Sequence, residues 1–249
     1  MLGYDVNMRS VQELAQEAES RLKQNSQAPL VCACLNPHSI VVSRSLQEFK
    51  KALGSADHLI ADGSGIILGS KILGRKTPPH ITGFDYFSAL MECLESAVKT
   101  PRVCFLGSTE ATLSAIQNRL KSDFPKISVK TISPPFGDWD ASVDRALCSA
   151  VNDFAPQILW VGMTAPKQEL WVARNKSALD VTVIGSIGAV FDFYAGSVPR
   201  APRWMLRLNM EWIDRLRRNP KKMWRRNFIS TPVFLWSIMC ERLSYSRQN

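Results

Sequence analysis

An aspartate, Asp62, ends the short apolar run "HLIA" and is followed by Gly63 and Gly65. A carboxylate at the end of a buried strand would be partly desolvated, which raises its basicity and suits it to take a proton from a hydroxyl group. The glycines that follow Asp62 would let a ligand approach the backbone closely. Asp-Gly is also a common turn pair, so the residues alone leave a general base and an ordinary turn both open.

Two further segments could bind an anionic ligand where a helix begins. In "GSTEAT", Gly107 would permit a bend and the helix N-terminus would supply amide donors to a phosphate. In "GMTAPKQE", which starts at Gly162, a cation, an amide and an acid follow one another as Lys167, Gln168 and Glu169. A lysine near the positive end of a helix is unfavourable unless an anion is close by. An ordinary helix cap, with Glu169 as a capping acid, explains either segment equally well.

The cysteines and histidines form no metal-binding pattern. Six cysteines (32, 34, 93, 104, 148, 240) lie mostly in apolar runs, and the three histidines (38, 58, 80) do not cluster with the closest pair, "CAC". We therefore expect free thiols in a reducing compartment, no disulfide and no zinc site. The N-terminus has no signal-peptide pattern, and no apolar run reaches the roughly 20 residues that span a bilayer.

The charge of the chain is concentrated at its C-terminal end. Pro199 to Asn249 holds twelve Arg/Lys and three acids, which accounts for the whole formal net charge of +9. Trp204, Leu208, Trp212 and Leu216 recur every four residues among these cations, which is typical of an amphipathic helix on a membrane surface. We expect an anionic membrane as partner and no nucleic acid, because the segment after 227 is more apolar than a phosphate-tracking groove needs. A packed helical surface stays open as the simpler alternative.

The elements that must position these residues alternate between short apolar strands and amphipathic helices. This order is typical of βαβ units, so we predict an α/β fold with a doubly wound, mostly parallel, Rossmann-like sheet over 1–198 and a helical, basic C-terminal appendage over 199–249. Ligands of such sheets bind beyond the carboxyl ends of the strands. The segments that follow the predicted strands are "CLNPH", "ADGSG", "LGSTE", "SPPFGDW" and "VGMTAPKQE".

Taken together, the motifs resemble one known family. The segments "LNPH", "ADGSGI", "TGFDYF", "GMTAPKQELW", "GAVFDFYAGSVPRAPRWM" and "MEWIDRLRRNPKKMWRR" occur in the order and with spacing similar to those of the WecG/TagA/CpsF glycosyltransferases of bacterial surface-polysaccharide synthesis. The resemblance runs from Met1 to about Arg226. The combination of "APKQE", "RAPxW" and "EW" is highly specific.

The resemblance implies a metal-independent, inverting transferase that needs no cofactor and lies peripherally on the cytoplasmic face of the cell membrane. It would move N-acetylmannosamine, its uronic acid or glucose from a UDP-sugar to a polyprenyl-diphosphate-linked glycan. Asp62 would be the general base, and Gln168 would lie in the substrate pocket. Arginines of the C-terminal segment, Arg203, Arg215 and Arg218, would help to complete the site and reach lipid.

Matching motif positions extend the expected substrate-binding set to Cys34, Asn36, His80, Gly83, Asp85, Gly107, Gly162 and Lys167. Three positions depart from the family pattern: Cys34 stands for a Thr, His80 for an Arg and Asn209 for a Gly, so the donor sugar is open. A nucleotide-acting hydrolase or transferase that never meets lipid, and a regulatory nucleotide-binding module with a basic docking arm, are the alternatives. The sequence leaves homo-oligomerisation open.

Overall fold

The structure, a computed structural model, describes residues 1–24, 28–199, 201–202, 205, 211–218 and 220–246. Its centre is a sheet of six parallel strands in the order β2-β1-β6-β5-β3-β4, which confirms the predicted α/β fold. The strands are β1 (Leu30–Leu35), β2 (His58–Ala61), β3 (Arg102–Gly107), β4 (Ser128–Ile132), β5 (Ile158–Gly162) and β6 (Val183–Ser186).

Helices cover both faces of this sheet. They are α1 (Val11–Gln24), α2 (Pro37–Ser45), α3 (Gln47–Gly54), α4 (Ser64–Ile72), α5 (Gly83–Ala97), α6 (Glu110–Asp123), α7 (Ala141–Phe154), α8 (Lys167–Asn175), α9 (Ala189–Tyr194), α10 (Glu211–Arg218), α11 (Pro220–Trp224) and α12 (Thr231–Ser246). The sequence predicts one helix over 39–53, but the structure divides it at Leu46, whose backbone is extended (φ −127°, ψ 92°).

Alternating side chains of each strand face opposite layers, as the pleat requires. On one face, Leu30 and Cys32 of β1 pack with α1, α5, α6 and α9. On the other face, Val31 packs with α7 and α8, while Ala33 and Leu35 pack with α2, α3 and α4. Both faces of the central strands are therefore buried, which explains their continuous apolar sequences.

The C-terminal segment packs on this second face. A π-helical segment, Arg225–Ser230, joins α11 to α12, and Phe234 and Ile238 of α12 are fully buried against α2 and α4. Within the described ranges, no helix combines the length and the hydropathy that crossing a bilayer requires. The division of the chain at 198/199 stays a prediction, although α12 is part of the packed body. Of the predicted Trp/Leu stripe, Trp204 and Leu208 lie outside the described residues.

Candidate active site

A cleft of about 630 Å³ lies beyond the carboxyl ends of the strands. Loops that follow all six strands line it, together with the start of α5 and one side chain of the π-helical segment. The direction in which successive strands are added reverses in this sheet. The chain goes from β1 outward to β2 at one edge, and then from β3 outward to β4 at the opposite edge. The cleft thus occupies the position at which open parallel sheets bind ligands.

Asp62 lines this cleft directly after β2. Its backbone N–H donates to the Leu35 carbonyl at 3.0 Å, which extends the β1–β2 pairing by one residue and fixes where the half-buried carboxylate projects. The glycines that follow serve the turn and the packing of α4. Gly63 has φ +96°, and a Cβ on Gly65 would collide with the Pro37 ring at the start of α2. Neither glycine is among the cleft-lining residues, and their expected role in ligand approach stays a prediction.

Asn36 and Cys34 bring the end of β1 to the same cleft. The Asn36 side chain accepts from Ser39 N–H at 3.1 Å, so this residue is the N-cap of α2 as well as a lining residue. The Cys34 thiol lies 3.2 Å from where a Cβ on Gly83 would stand. Burial, and secondly the Asp62 carboxylate, raise the pKa of Cys34 well above its usual value, which keeps it a neutral thiol.

Gln168 and Glu169 form a buried pair in the cleft wall, each about 5% exposed. Gln168 Nε2 donates to Glu169 Oε1 at 2.8 Å, whereas Gln168 Oε1 and Glu169 Oε2 have no hydrogen-bond partner. Burial raises the pKa of Glu169 to about 7, although the Gln168 bond opposes that shift. A Cβ on Gly188 would come within 2.6 Å of Gln168 Oε1, so a glycine is required where this amide lies.

Lys167 lies at the cleft but is satisfied by the protein. Its ammonium group donates to the Gly137 carbonyl and lies 3.6 Å from the centroid of the Trp139 ring. A carbonyl and an aromatic face therefore stabilise the positive charge of Lys167 at this helix start, and a bound anion is not required for that. Lys167 holds the loop after β4 against the start of α8.

The start of α6 contributes Ser108 and Thr109 rather than Gly107. Gly107 has φ +126°, and a Cβ there would collide with the Gly162 carbonyl on the neighbouring strand. A Cβ on Gly162 would in turn stand 2.5 Å from the Phe191 ring. Both glycines therefore permit close approach between β3, β5 and α9, and of the two only Gly162 lines the cleft.

Arg226 enters the cleft from the π-helical segment. Its guanidinium lies near enough to oppose the rise in the Cys34 pKa. The same segment is tied to α2 through His38 Nδ1 and Ser230 Oγ, which are 2.8 Å apart. Burial, together with Arg226 and Arg225, lowers the pKa of His38, which favours its neutral form. The C-terminal segment thus contacts α2, the helix that Asn36 caps.

The other predicted residues lie elsewhere. His80 is exposed and bridges Ala61 beside Asp62. Asp85 belongs to the capping box of α5, in which Thr82 is the N-cap and Thr82 Oγ1 donates to Asp85 Oδ2 at 2.7 Å. Arg218 Nε donates to the buried Asp214 carboxylate at 2.7 Å. None of the three lines the cleft. Arg203 and the side chain of Arg215 lie outside the described residues. Their substrate contacts stay predictions.

The structure also adds lining residues that the sequence did not single out as binding residues: Thr82, Ser108, Phe136, Glu169, Ser186, Asp192 and Arg226. Three of them, Ser108, Phe136 and Glu169, lie in segments already marked as following strands, where the carboxyl-end rule alone could have found them. Arg226 is different, since its sequence neighbours are also cations and only the packing of the C-terminal helix selects it.

The sequence of the chain is similar to those of known glycosyltransferases. The sequence model described as "Glycosyl transferase WecG/TagA/CpsF family" matches residues 1–248. A Bacillus spizizenii protein named N-acetylglucosaminyldiphosphoundecaprenol N-acetyl-beta-D-mannosaminyltransferase is 29% identical over 218 residues, covering 88% of this chain and 81% of that relative. A Staphylococcus aureus protein of the same name is 27% identical over 239 residues, covering 96% of this chain and 91% of the relative.

Proposed function

The chain belongs to the WecG/TagA/CpsF family of glycosyl transferases, and from this premise we propose that it moves a hexosyl group from a UDP-sugar to a polyprenyl-diphosphate-linked glycan. N-acetylmannosamine is the donor sugar we favour, because both relatives are named as N-acetyl-β-D-mannosaminyltransferases. Its uronic acid and glucose are the rival donors. The observation that carries the proposal is a carboxylate, Asp62, held after a buried strand in the cleft of a family member.

Asp62 is the general base in this mechanism. Its carboxylate takes the proton of the acceptor hydroxyl while the hydroxyl oxygen attacks the anomeric carbon on the side opposite UDP. A new glycosidic C–O bond forms, the C–O bond to the diphosphate breaks, and UDP leaves with the electron pair. One displacement inverts the anomeric centre, so an α-linked donor gives a β product, as the relatives' names specify.

The charge that develops on UDP must be offset within the cleft. Arg226 supplies a guanidinium in the same cleft as Asp62, close enough to Cys34 to oppose the rise in the pKa of that thiol. The N-terminus of α6, with Ser108 and Thr109 at the cleft, supplies backbone N–H groups and the positive end of a helix dipole. Gln168 and Glu169 remain as polar groups that bind the sugar.

The acceptor reaches the cleft from the membrane surface. From Trp224 onward the C-terminal helices carry seven exposed large apolar side chains, which we call the apolar face: Trp224, Phe228, Ile229, Val233, Trp236, Met239 and Leu243. Arg226 belongs to the same helical segment as Phe228 and Ile229. Docking of the apolar face on the cytoplasmic leaflet would therefore bring the diphosphate of a lipid-linked acceptor to the cleft, with neighbouring cations on the headgroups.

A donor screen tests the proposal. The full-length protein in detergent is given UDP-N-acetylmannosamine, its uronic acid or UDP-glucose with a short-chain polyprenyl-diphosphate N-acetylglucosamine, and UDP release is followed with and without acceptor. We expect acceptor-dependent release, and a loss of at least about 100-fold in Asp62→Asn with UDP binding retained. Asp180→Asn, at an exposed position, is the matched control and should turn over normally. Wild-type turnover in Asp62→Asn, or no release with any donor, would refute the assignment.

A further inference from the structure

One hydrogen bond joins the π-helical segment to α2, and the mechanism above gives it no role. His38 Nδ1 lies 2.8 Å from Ser230 Oγ, although the two residues are 192 positions apart in the chain. Ser230 is 3% exposed and His38 is half-buried, so the loss of either partner would leave a poorly solvated polar group. The contact therefore favours one position of the segment on the helix.

The His38 end of this contact is fixed relative to Asp62. His38 lies in the first turn of α2, which a capping box holds at its N-terminus. The neighbouring Pro37 ring packs so closely on Gly65 that a Cβ there would collide with it. Gly65 lies in the first turn of α4, the helix that follows Asp62. The start of α2 and the turn after Asp62 thus form one packed unit.

The Ser230 end of the contact is fixed relative to Arg226. Ser230 is the last residue of the π-helical segment, and Thr231 follows it. The Thr231 backbone N–H donates to the Arg226 carbonyl, and Thr231 Oγ1 donates to the same carbonyl at 3.2 Å. A bond from an N–H to the carbonyl five residues earlier defines a π-turn, a rare geometry that is frequent at functional sites. Ser230 and the Arg226 backbone therefore belong to one hydrogen-bonded turn.

The charge state of His38 suits it to this place. Burial, together with Arg226 and Arg225, lowers the pKa of His38, so the ring is favoured in its neutral form. A neutral imidazole can lie beside two cations without repelling them, whereas a lysine at this position would carry a third positive charge.

A continuous path of contacts thus leads from Asp62 through α2 to Arg226. From this path we infer that His38 is a positioning residue: its hydrogen bond to Ser230 holds the π-helical segment on α2 and keeps Arg226 in the cleft. The expected effect on transfer rests on the proposed function.

Hydrogen–deuterium exchange of the full-length protein tests the contact without turnover. The amides of residues 225–231 should exchange about fivefold faster in His38→Ala and in Ser230→Ala, the factor that one lost hydrogen bond gives to local opening. His38→Asn should exchange as the wild type does, because an amide group can hydrogen-bond from the place of Nδ1. Ser45→Ala, at the exposed far end of α2, is the control and should also leave the exchange unchanged.

Transfer kinetics test the consequence for Arg226. With the donor that the screen identifies, kcat/KM should fall by about fivefold in His38→Ala and recover in His38→Asn. In an Arg226→Ala background, His38→Ala should cause no further loss, because both changes act through one guanidinium. A merely structural role of His38 would lower kcat/KM by the same factor in both backgrounds.

Three results would overturn the inference: wild-type exchange at 225–231 in both His38→Ala and Ser230→Ala, wild-type kcat/KM in His38→Ala, or losses that add in the Arg226→Ala background. Each of them would leave the proposed transfer intact. A wild type that transfers no sugar would instead contradict the proposed function, and the exchange rates would still decide whether His38 holds the segment.

Discussion

Glu169 shows how strongly the cleft wall affects a single side chain. Its carboxyl group is buried beside Gln168, and one of its oxygens has no hydrogen-bond partner. The ionised form loses its hydration there, so burial raises the pKa from 4.5 to about 7. The group therefore changes charge near neutral pH.

This raised pKa predicts a pH-dependent stability. The folded protein holds the Glu169 proton more tightly than the unfolded chain, so its stabilising effect is complete below pH 4.5 and is lost as the pH rises to about 7. The difference in free energy of unfolding between wild type and Glu169→Gln should fall by about 3 kcal/mol over that window. Urea denaturation at intervals between pH 4.5 and 8 measures it.

Glu48→Gln is the matched control for that series, because Glu48 is exposed on α3 and loses little hydration on folding. Its difference from the wild type should change little over the same window. A Glu169→Gln difference that is flat with pH, or one that grows as the pH rises, would contradict the burial of a carboxyl group with one unpartnered oxygen.

The candidate site was predictable where a residue follows a strand. Asp62 was singled out because it ends a strand, and strands and their carboxyl ends are local features of sequence. The segments that hold Asn36 and Gln168 were marked by the same rule, but the family resemblance selected these two residues. Two other features were not predictable, for a physical reason. Lys167 is compensated by the loop after β4. Arg226 reaches the cleft because α12 and the π-helical segment pack against α2 and α4. Such contacts depend on tertiary packing, which periodicity does not encode.

At the scale of elements, Gly185 of β6 leaves the space that the Trp160 ring of the neighbouring strand β5 occupies. A Cβ on Gly185 of β6 would collide with the fully buried Trp160 ring of β5. Gly185→Ala should therefore overpack the core and lower the free energy of unfolding by about 1–3 kcal/mol. Gly54→Ala is the control, since no atom lies within 4 Å of a Cβ there and alanine favours the helix end. Equal stability of both variants would contradict the packing of Trp160 over Gly185.

The π-helical segment determines which cation enters the cleft. Each residue of an α-helix turns the chain by about 100°. If the helix after the deleted residue stays anchored, the helical residues before the deletion rotate by that amount about the helix axis. Phe234 and Ile238 anchor α12 on the body, and Ile229 is exposed. Deletion of Ile229 should therefore keep the fold but turn Arg226 out of the cleft.

Kinetics of the deletion variant test that geometry. We expect transfer to fall by about as much as in Arg226→Ala, on the order of 10- to 100-fold for a lost charge-assisted contact to phosphate. The two changes combined should cost no more than either alone, because both remove one interaction. Additive losses, or a deletion variant with wild-type kinetics, would show that the helical register does not position Arg226. An unchanged urea midpoint confirms that the body is intact.

At the scale of the whole molecule, the strands and the charge asymmetry were predictable, whereas the strand order was not. Five of the strands are mainly apolar runs, whereas the edge strand β4 includes Ser128, Lys130 and Thr131. The net charge is a simple property of the sequence. The order β2-β1-β6-β5-β3-β4 depends on which strands pair with each other. The sequence pattern of a single strand does not indicate its partners. That order places Asp62 and Phe136 at opposite edges of one cleft.

The basic C-terminal segment and its apolar face predict salt-dependent binding to anionic membranes. Complete removal of 199–249 would also uncover the core around Phe234 and Ile238, so substitution on the apolar face is the cleaner test. Trp236 is 72% exposed, and Trp236→Ala should weaken co-sedimentation with anionic vesicles by about tenfold, the effect of keeping one large apolar side chain out of the bilayer. High salt should weaken the wild type as well, because cations near the surface are screened. Phe136→Ala is the control, because it removes an exposed ring from the cleft, and this variant should co-sediment with vesicles as the wild type does. Wild-type co-sedimentation of Trp236→Ala would show that the apolar face does not contact lipid.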